Sequence, residues 1–459
     1  MKFAKDPYWM KSGIYTILNG FSALVFGFGG FLILIRILPK SEFGTWALFI
    51  TVTAIIEVAR NGLIQNAQIK FAAGASNEDY PKVLTASLML NIIVTMCSIV
   101  LLLVFAPVLS NLWHSPAISK MFYLYSITTF LLIGFSQFNF IQQANYDFKG
   151  IFVTGLIRQG TFFSVILYFY FTKTTIDLLS LVLFQMAAAF MALCTGFIFV
   201  RKYFRVVLPV DWQWVKKLFH FGKFVFGTNI SSMIYSSVDQ MILGAMMPTS
   251  EVAIFNAANR MTNFIDVPVA ALSSIVFPKS AQRVAEQGKD AVVYLYERAV
   301  GLLLAIIIPI VIVLGVSAKF IMNLAAGTGY ANSIPVMQVI LAASILQPFM
   351  RQFGVVVDST GRPRINFYLL LGIMFYNIGA IYFFVSLFKN TSPALGAALG
   401  GSSAMLLFVI IAGIILRRLY GIKYSHTLVY CLRFYKDGFT IIKEKVFKIK
   451  SNKTEDANP

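Results

Sequence analysis

The sequence predicts an all-α polytopic membrane protein of about twelve transmembrane helices, arranged as two pseudo-symmetric six-helix bundles. Three observations carry that reading. Hydrophobic residues make up 58% of 459 positions and charged residues only 12%, whereas a soluble chain carries about twice that charged share. Apolar runs long enough to cross ~30 Å of hydrocarbon recur along the chain. One stretch also occurs twice, at half-chain separation, which is the signature of transporter folds.

The first half places its runs at 12–38, 43–63, 83–109, 120–143, 150–171 and 178–200. The second half places them at 222–247, 252–277, 292–316, 332–354, 365–387 and 394–416. The repeat is ungapped from Gly13 to Ala72 against Gly222 to Ala281. Its turns align as Pro39-Lys40-Ser41-Glu42 on Pro248-Thr249-Ser250-Glu251, with Thr53 on Thr262, Ile56 on Ile265, Leu63 on Leu272 and Lys70 on Lys279. Abundant Ile, Val and Leu supply chance identities, but not a matched Pro-x-Ser-Glu turn. The halves are therefore 1–210 and 211–420. Six spans per half make the repeats parallel, related by an axis along the membrane normal.

Orientation follows from the basic residues. With the N-terminus inside, most of the 38 Lys and Arg fall in inner segments, and only Lys40, Lys120, Lys173, Lys319 and Lys389 lie outside. Both termini are then cytoplasmic, and the net charge of +19 is mainly a topology signal with some attraction to anionic lipid. Nothing in that distribution calls for nucleic acid. No cleavable signal peptide is expected, because the first apolar run is too long for a signal core. Cys97, Cys194 and Cys431 do not suggest a disulfide framework.

The linker from Arg201 to Phe221 carries Trp212 and Trp214 beside Lys216 and Lys217, a composition suited to the inner headgroup region. After the last span, 421–450 reads as a cytoplasmic basic amphipathic segment, helical from Tyr424 to Lys450, and 451–459 as a disordered tail.

Ionisable residues at membrane depth face a cavity or one another. Asp239 and Arg260 are equally far from the turn between Thr249 and Ser250, so on an antiparallel helix pair they share a depth about 13–16 Å below its outer end. They read equally as cavity elements or as an ion pair locking two helices. Glu57 and Asp266 occupy matched positions nearer the cytoplasm, and Pro268 predicts a kink after Asp266. A cation or proton site is one reading of these acids, and pairing with Arg60 or Arg298 the other. Arg158 falls in the fifth span and Arg298 beside Glu297 in the ninth. Asn256, Asn259 and Asn263 share one helical face with Arg260 a step away, an arrangement suited to sugar hydroxyls and phosphate. Inter-helix hydrogen bonding is the structural alternative for those amides.

His114, His220 and His426 form no metal constellation, no Walker-type glycine loop is present, and the outer loops are too short for a catalytic domain. The chain is read as a non-enzyme without a cofactor.

Twelve spans in two parallel halves resemble the multidrug/oligosaccharidyl-lipid/polysaccharide exporter superfamily, whose MATE branch gives the fold its name. The stretches Val238-Asp239-Gln240-Met241-Ile242-Leu243-Gly244 and Ser250 to Arg260 are similar to the seventh and eighth helices of its bacterial polysaccharide flippases. Leu38 to Gly44 resembles their first turn, and Phe277-Pro278 the end of their eighth helix. The resemblance implies a flippase moving undecaprenyl-pyrophosphate-linked oligosaccharide, of O-antigen or capsule-repeat type, across the bacterial inner membrane. Its expected partners are that lipid-linked oligosaccharide, membrane lipids, H+ or Na+ as coupling ion, and other glycan-assembly proteins. Arg60, Arg158, Arg260 and Arg298 are expected as the cationic lining, with Asp239 holding Arg260. A cation-coupled multidrug antiporter of the same fold is the alternative, and a non-transporting scaffold for glycan assembly a third reading.

Overall fold

A computed structural model of the protein describes residues 7–265, 289–360 and 362–436, and among these every regular element is helical. The first seven helices are α1 (Pro7–Ile37), α2 (Lys40–Ala73), α3 (Asp79–Leu112), α4 (Ala117–Ala144), α5 (Phe148–Thr172), α6 (Leu178–Val200) and α7 (Trp212–Met246). Then come α8 (Thr249–Asn259), a 3-10 turn (Arg260–Thr262), α9 (Lys289–Val316), α10 (Ala318–Ala326), α11 (Ser333–Ser344) and α12 (Gln347–Ser359). α13 (Pro363–Leu387), α14 (Pro393–Tyr420) and a helix over 424–436, α15, complete the series.

Local chemistry explains where these helices begin and end. Pro39, extended at φ −54° and ψ 148°, separates α1 from α2, and a residue before proline is driven out of helical backbone. The Asp147 carboxylate accepts from the Gly150 N–H to start α5, and Asp177 accepts from Ser180 to start α6. Asp211 accepts from Gln213 and Trp214 at the start of α7. Each satisfies N–H groups that a helix leaves open at its N-terminus. Gly421, at φ +76°, closes α14 in the left-handed conformation that glycine adopts without strain.

Ten helical segments among the described residues are long and apolar enough to cross a membrane. The expected span at 332–354 is one of them, broken between α11 and α12, where Pro348 removes a backbone donor. The expected spans at 222–247 and 252–277 are not among the ten. α7 has the length, at 35 residues, but interrupts its apolar run with Asn229, Ser231, Ser232, Ser236, Ser237, Asp239 and Gln240. Beyond α8 and the 3-10 turn the chain is described only as far as Ile265, so Asp266 and the kink expected at Pro268 lie outside the described residues. A break does occur upstream of them, in the 3-10 turn at Arg260–Thr262.

Packing divides the chain into two compact units, Met1–Ala253 and Ile254–Pro459. Within the first, α1 packs on α5, α4 on α3 and α6, and α7 on α2 and α3. The α2–α7 seam is close enough to require glycine. A Cβ on Gly222 would sit 1.8 Å from the Leu63 carbonyl oxygen, and just beyond α7 one on Gly44 of α2 would sit 1.7 Å from the carbonyl oxygen of Thr249, the first residue of α8. Trp113, at the end of α3, donates its indole N–H to the Met241 carbonyl of α7 at 3.2 Å. Within the second unit, α13 packs on α14, α11 on α14 and α9 on α12.

α15 docks on α9 in that second unit. Thr427 and Cys431 are buried while Leu428 and Leu432 stay exposed, so one face is covered and the other open. One Glu297 oxygen accepts from the Lys423 N–H and the other lies 3.2 Å from His426 Nδ1, which places a carboxylate at the helix N-terminus. Tyr435 donates its hydroxyl to the Ala305 carbonyl at 2.6 Å.

Candidate functional site

The middle of the first unit concentrates charge that an apolar bundle has no structural need to carry. Glu57 on α2 accepts from Arg158 Nη2 of α5 at 2.7 Å and from the Tyr125 hydroxyl of α4 at 2.8 Å, both on Oε1. The Arg158 guanidinium also lies 5.2 Å from the centre of the Phe135 ring. Three helices thus converge on one carboxylate. The Arg158 and Glu57 side chains keep 31% and 25% of their surface accessible, so this pair borders open space rather than sealed core.

Arg60 differs. It lies three residues beyond Glu57 on the same helix and is only 2% exposed. Its Nε and Nη1 groups have no hydrogen-bond partner among the described residues. Buried charge is strongly disfavoured unless paired, and an unpaired buried donor costs roughly 1–3 kcal/mol, more when charged. The i,i+3 spacing of Glu57 and Arg60 offered a local pair, yet the ion pair forms with Arg158. Gln159 Oε1 and Asn61 Oδ1, each next in sequence to one of these arginines, are likewise buried without partners.

Other expected site residues lie elsewhere. Asp239 is half-buried on α7 in the first unit, and its neighbour Gln240 donates to Thr51 Oγ1 at 2.7 Å, tying α7 to α2. Arg260 opens the 3-10 turn in the second unit and is exposed. Asn256 is buried at the end of α8, and Asn259 and Asn263 flank the turn half-buried. Arg298 sits near the start of the apolar stretch of α9, where its Nη1 donates to the Tyr294 hydroxyl at 2.5 Å. Its sequence neighbour Glu297 turns the other way, to the α15 N-terminus.

Several polar groups of α2 act between helices. Gln65 donates to Gln143 at 3.0 Å, and Gln68 accepts from Ser87 at 2.6 Å. Tyr125 is the participant that sequence reasoning missed. A tyrosine in an apolar run reads as core, and nothing local signals that its hydroxyl meets Glu57.

The profile of a family described as "Polysaccharide biosynthesis protein" matches residues 33–335, from the end of α1 into α11. The chain belongs to that family. No curated protein sequence matches it. Its fold is similar to that of a structure described as "Lipid II flippase MurJ, inward closed conformation", at TM-score 0.72 and 14% identity over 94% of this chain and 92% of that one. It is also similar to an inward-facing multidrug resistance MATE family transporter of the MOP superfamily, at 0.68 and 15% identity over 86% and 95%. A MOP superfamily transporter from Pyrococcus furiosus, whose description notes a binding pocket of reversed polarity, matches at 0.58 and 14% identity over 90% and 96%. The exporter-type fold expected from the sequence is therefore the observed one, and the family is one of polysaccharide-biosynthesis membrane proteins.

Proposed function

We propose that the protein flips undecaprenyl-pyrophosphate-linked oligosaccharide, an O-antigen or capsule repeat unit, from the inner to the outer leaflet of the bacterial cytoplasmic membrane. Both termini are cytoplasmic in this reading, and no reaction is catalysed. The family and the exporter fold support a lipid-substrate transporter. The observation that carries the anionic substrate is Arg60, a buried guanidinium with two groups unsatisfied beside an ion pair that borders open space. A pyrophosphate offers the planar, bidentate acceptors that guanidinium groups prefer.

The substrate's sugars and pyrophosphate must cross apolar core while the prenyl tail stays in lipid. Arg60, Arg158, Arg260 and Arg298 would lower the barrier for the phosphates, and Asn256, Asn259 and Asn263 for the hydroxyls. Glu57, Asp266 and Asp239 are the acids at which proton or sodium coupling would act. The two sequence halves, 1–210 and 211–420, would rock against each other to alternate access.

The test is reconstitution in liposomes with a short-chain prenyl-pyrophosphate oligosaccharide, its leaflet exposure followed by an impermeant probe. Protein-dependent flipping is expected, and Arg260→Ala is expected to abolish it at equal protein level. Folded protein that flips nothing, yet drives proton- or sodium-dependent efflux of a cationic dye, would assign the chain to the multidrug antiporters instead.

A further inference from the structure

The meeting of the last turns of α2 with the first turns of α7 forms a platform that the flipping reading does not use. The Phe71 ring packs edge-on against Trp214 and Phe221, with centroids 5.9 and 5.8 Å away. These rings are half-buried against a core that includes Leu63, Ala67 and Leu218. Two ammonium groups rest on them. Lys70 Nζ lies 4.4 Å from the Phe221 centroid, and Lys217 Nζ lies 4.1 Å from that of Trp214. Both lie within 5.6 Å of the Phe71 centroid. Both lysines are exposed, and among the described residues no carboxylate pairs with either.

A lysine on an open surface spreads its charge over many rotamers. Here the rings hold each ammonium group in place through cation–π contact, so a ligand need not order it. The next face of α7 says what kind of ligand. Trp212 and Phe219 are 54% and 49% exposed, and Lys216 lies between them at helical spacing. Large exposed aromatics interleaved with lysine suit the boundary between acyl chains and headgroups. A soluble anion would have no use for those rings.

We propose that this platform is a binding site for the phosphate of an anionic phospholipid, with Lys70 and Lys217 as its two cations. Trp212 and Phe219 lie against the acyl chains of the same leaflet. The site is independent of the charged cluster around Glu57 and of what the protein transports.

The experiment is native mass spectrometry of the purified full chain, delipidated in detergent and titrated with phosphatidylglycerol, phosphatidylcholine or a prenyl pyrophosphate. The wild type is expected to retain phosphatidylglycerol selectively. Lys70→Gln/Lys217→Gln is expected to bind it roughly 30-fold more weakly, at about fivefold per lysine, while Lys70→Arg/Lys217→Arg retains it. Lys120→Gln/Lys173→Gln removes equal charge elsewhere and is expected to bind normally. Undiminished phosphatidylglycerol binding by the glutamine pair would overturn the proposal, as would equal loss in the control. Loss of a prenyl-pyrophosphate ligand alone, with phosphatidylglycerol retained, would overturn it too and give the platform to the lipid carrier.

Discussion

Arg60 and Arg158 carry the same charge near one carboxylate and meet opposite treatment. Arg158 receives a carboxylate at 2.7 Å, whereas Arg60 is buried with two groups unsatisfied. Removing the carboxylate should therefore leave two arginines uncompensated. Glu57→Gln is expected to destabilise the purified protein by about 1–3 kcal/mol, the cost of breaking a buried pair discounted for its partial exposure. Thermal unfolding in detergent measures it. Glu57→Gln/Arg158→Gln should sit closer to wild type than the single variant, because the cycle removes the orphaned charge. A single variant as stable as wild type would show that the pair contributes nothing. Charges at these positions were legible in the sequence, since any Glu or Arg in an apolar run stands out. Which arginine met Glu57 was not, because the partners are 101 positions apart and only the tertiary arrangement of the bundle brings their side chains together.

At the scale of elements, two contacts invite test. Gly222 faces the Leu63 carbonyl across the α2–α7 seam, where a backbone atom cannot move aside as a side chain can. Gly222→Val should cost at least about 1–3 kcal/mol, as overpacking does, seen as a lower unfolding temperature and reduced yield. An unaffected Tm would mean that the seam opens freely. The second contact is Glu297 at the α15 N-terminus. Glu297→Ala is expected to raise amide exchange over 424–436 while α9 keeps its protection, and unchanged exchange would show that apolar contact alone holds the helix. The sequence suggests an amphipathic helix from Tyr424 to Lys450, of which 437–450 lie outside the described residues, and the docking of 424–436 on α9 involves Glu297, 126 positions away.

For the whole molecule, the decisive question is whether α7 moves relative to α2. The internal repeat makes α7 the first helix of the second half, yet contacts place it in the compact unit that ends at Ala253. A rocking cycle between the sequence halves must separate α2 from α7. A Cβ on Gly62 would stand 3.4 Å from Asn229 Cβ, close to disulfide range. Gly62→Cys/Asn229→Cys, with Cys97, Cys194 and Cys431 replaced by serine, is expected to stop flipping when oxidised and to regain it on reduction. Full activity in the crosslinked state would mean that α2 and α7 travel together. The units, not the repeats, would then be the moving parts.

Legible without the fold are properties that accumulate locally: apolar runs of membrane length, the repeated Pro-x-Ser-Glu turn, and charge placed where lipid should exclude it. These survive without coordinates because hydropathy and backbone restriction act over a few residues. Only the tertiary structure decided that Arg158 rather than Arg60 meets Glu57, that Tyr125 joins them, that Glu297 serves a distant helix, and that Lys70 and Lys217 share one aromatic platform. Each depends on side chains from separate helices arriving at one point, and the approach of those helices is set by packing over their whole length.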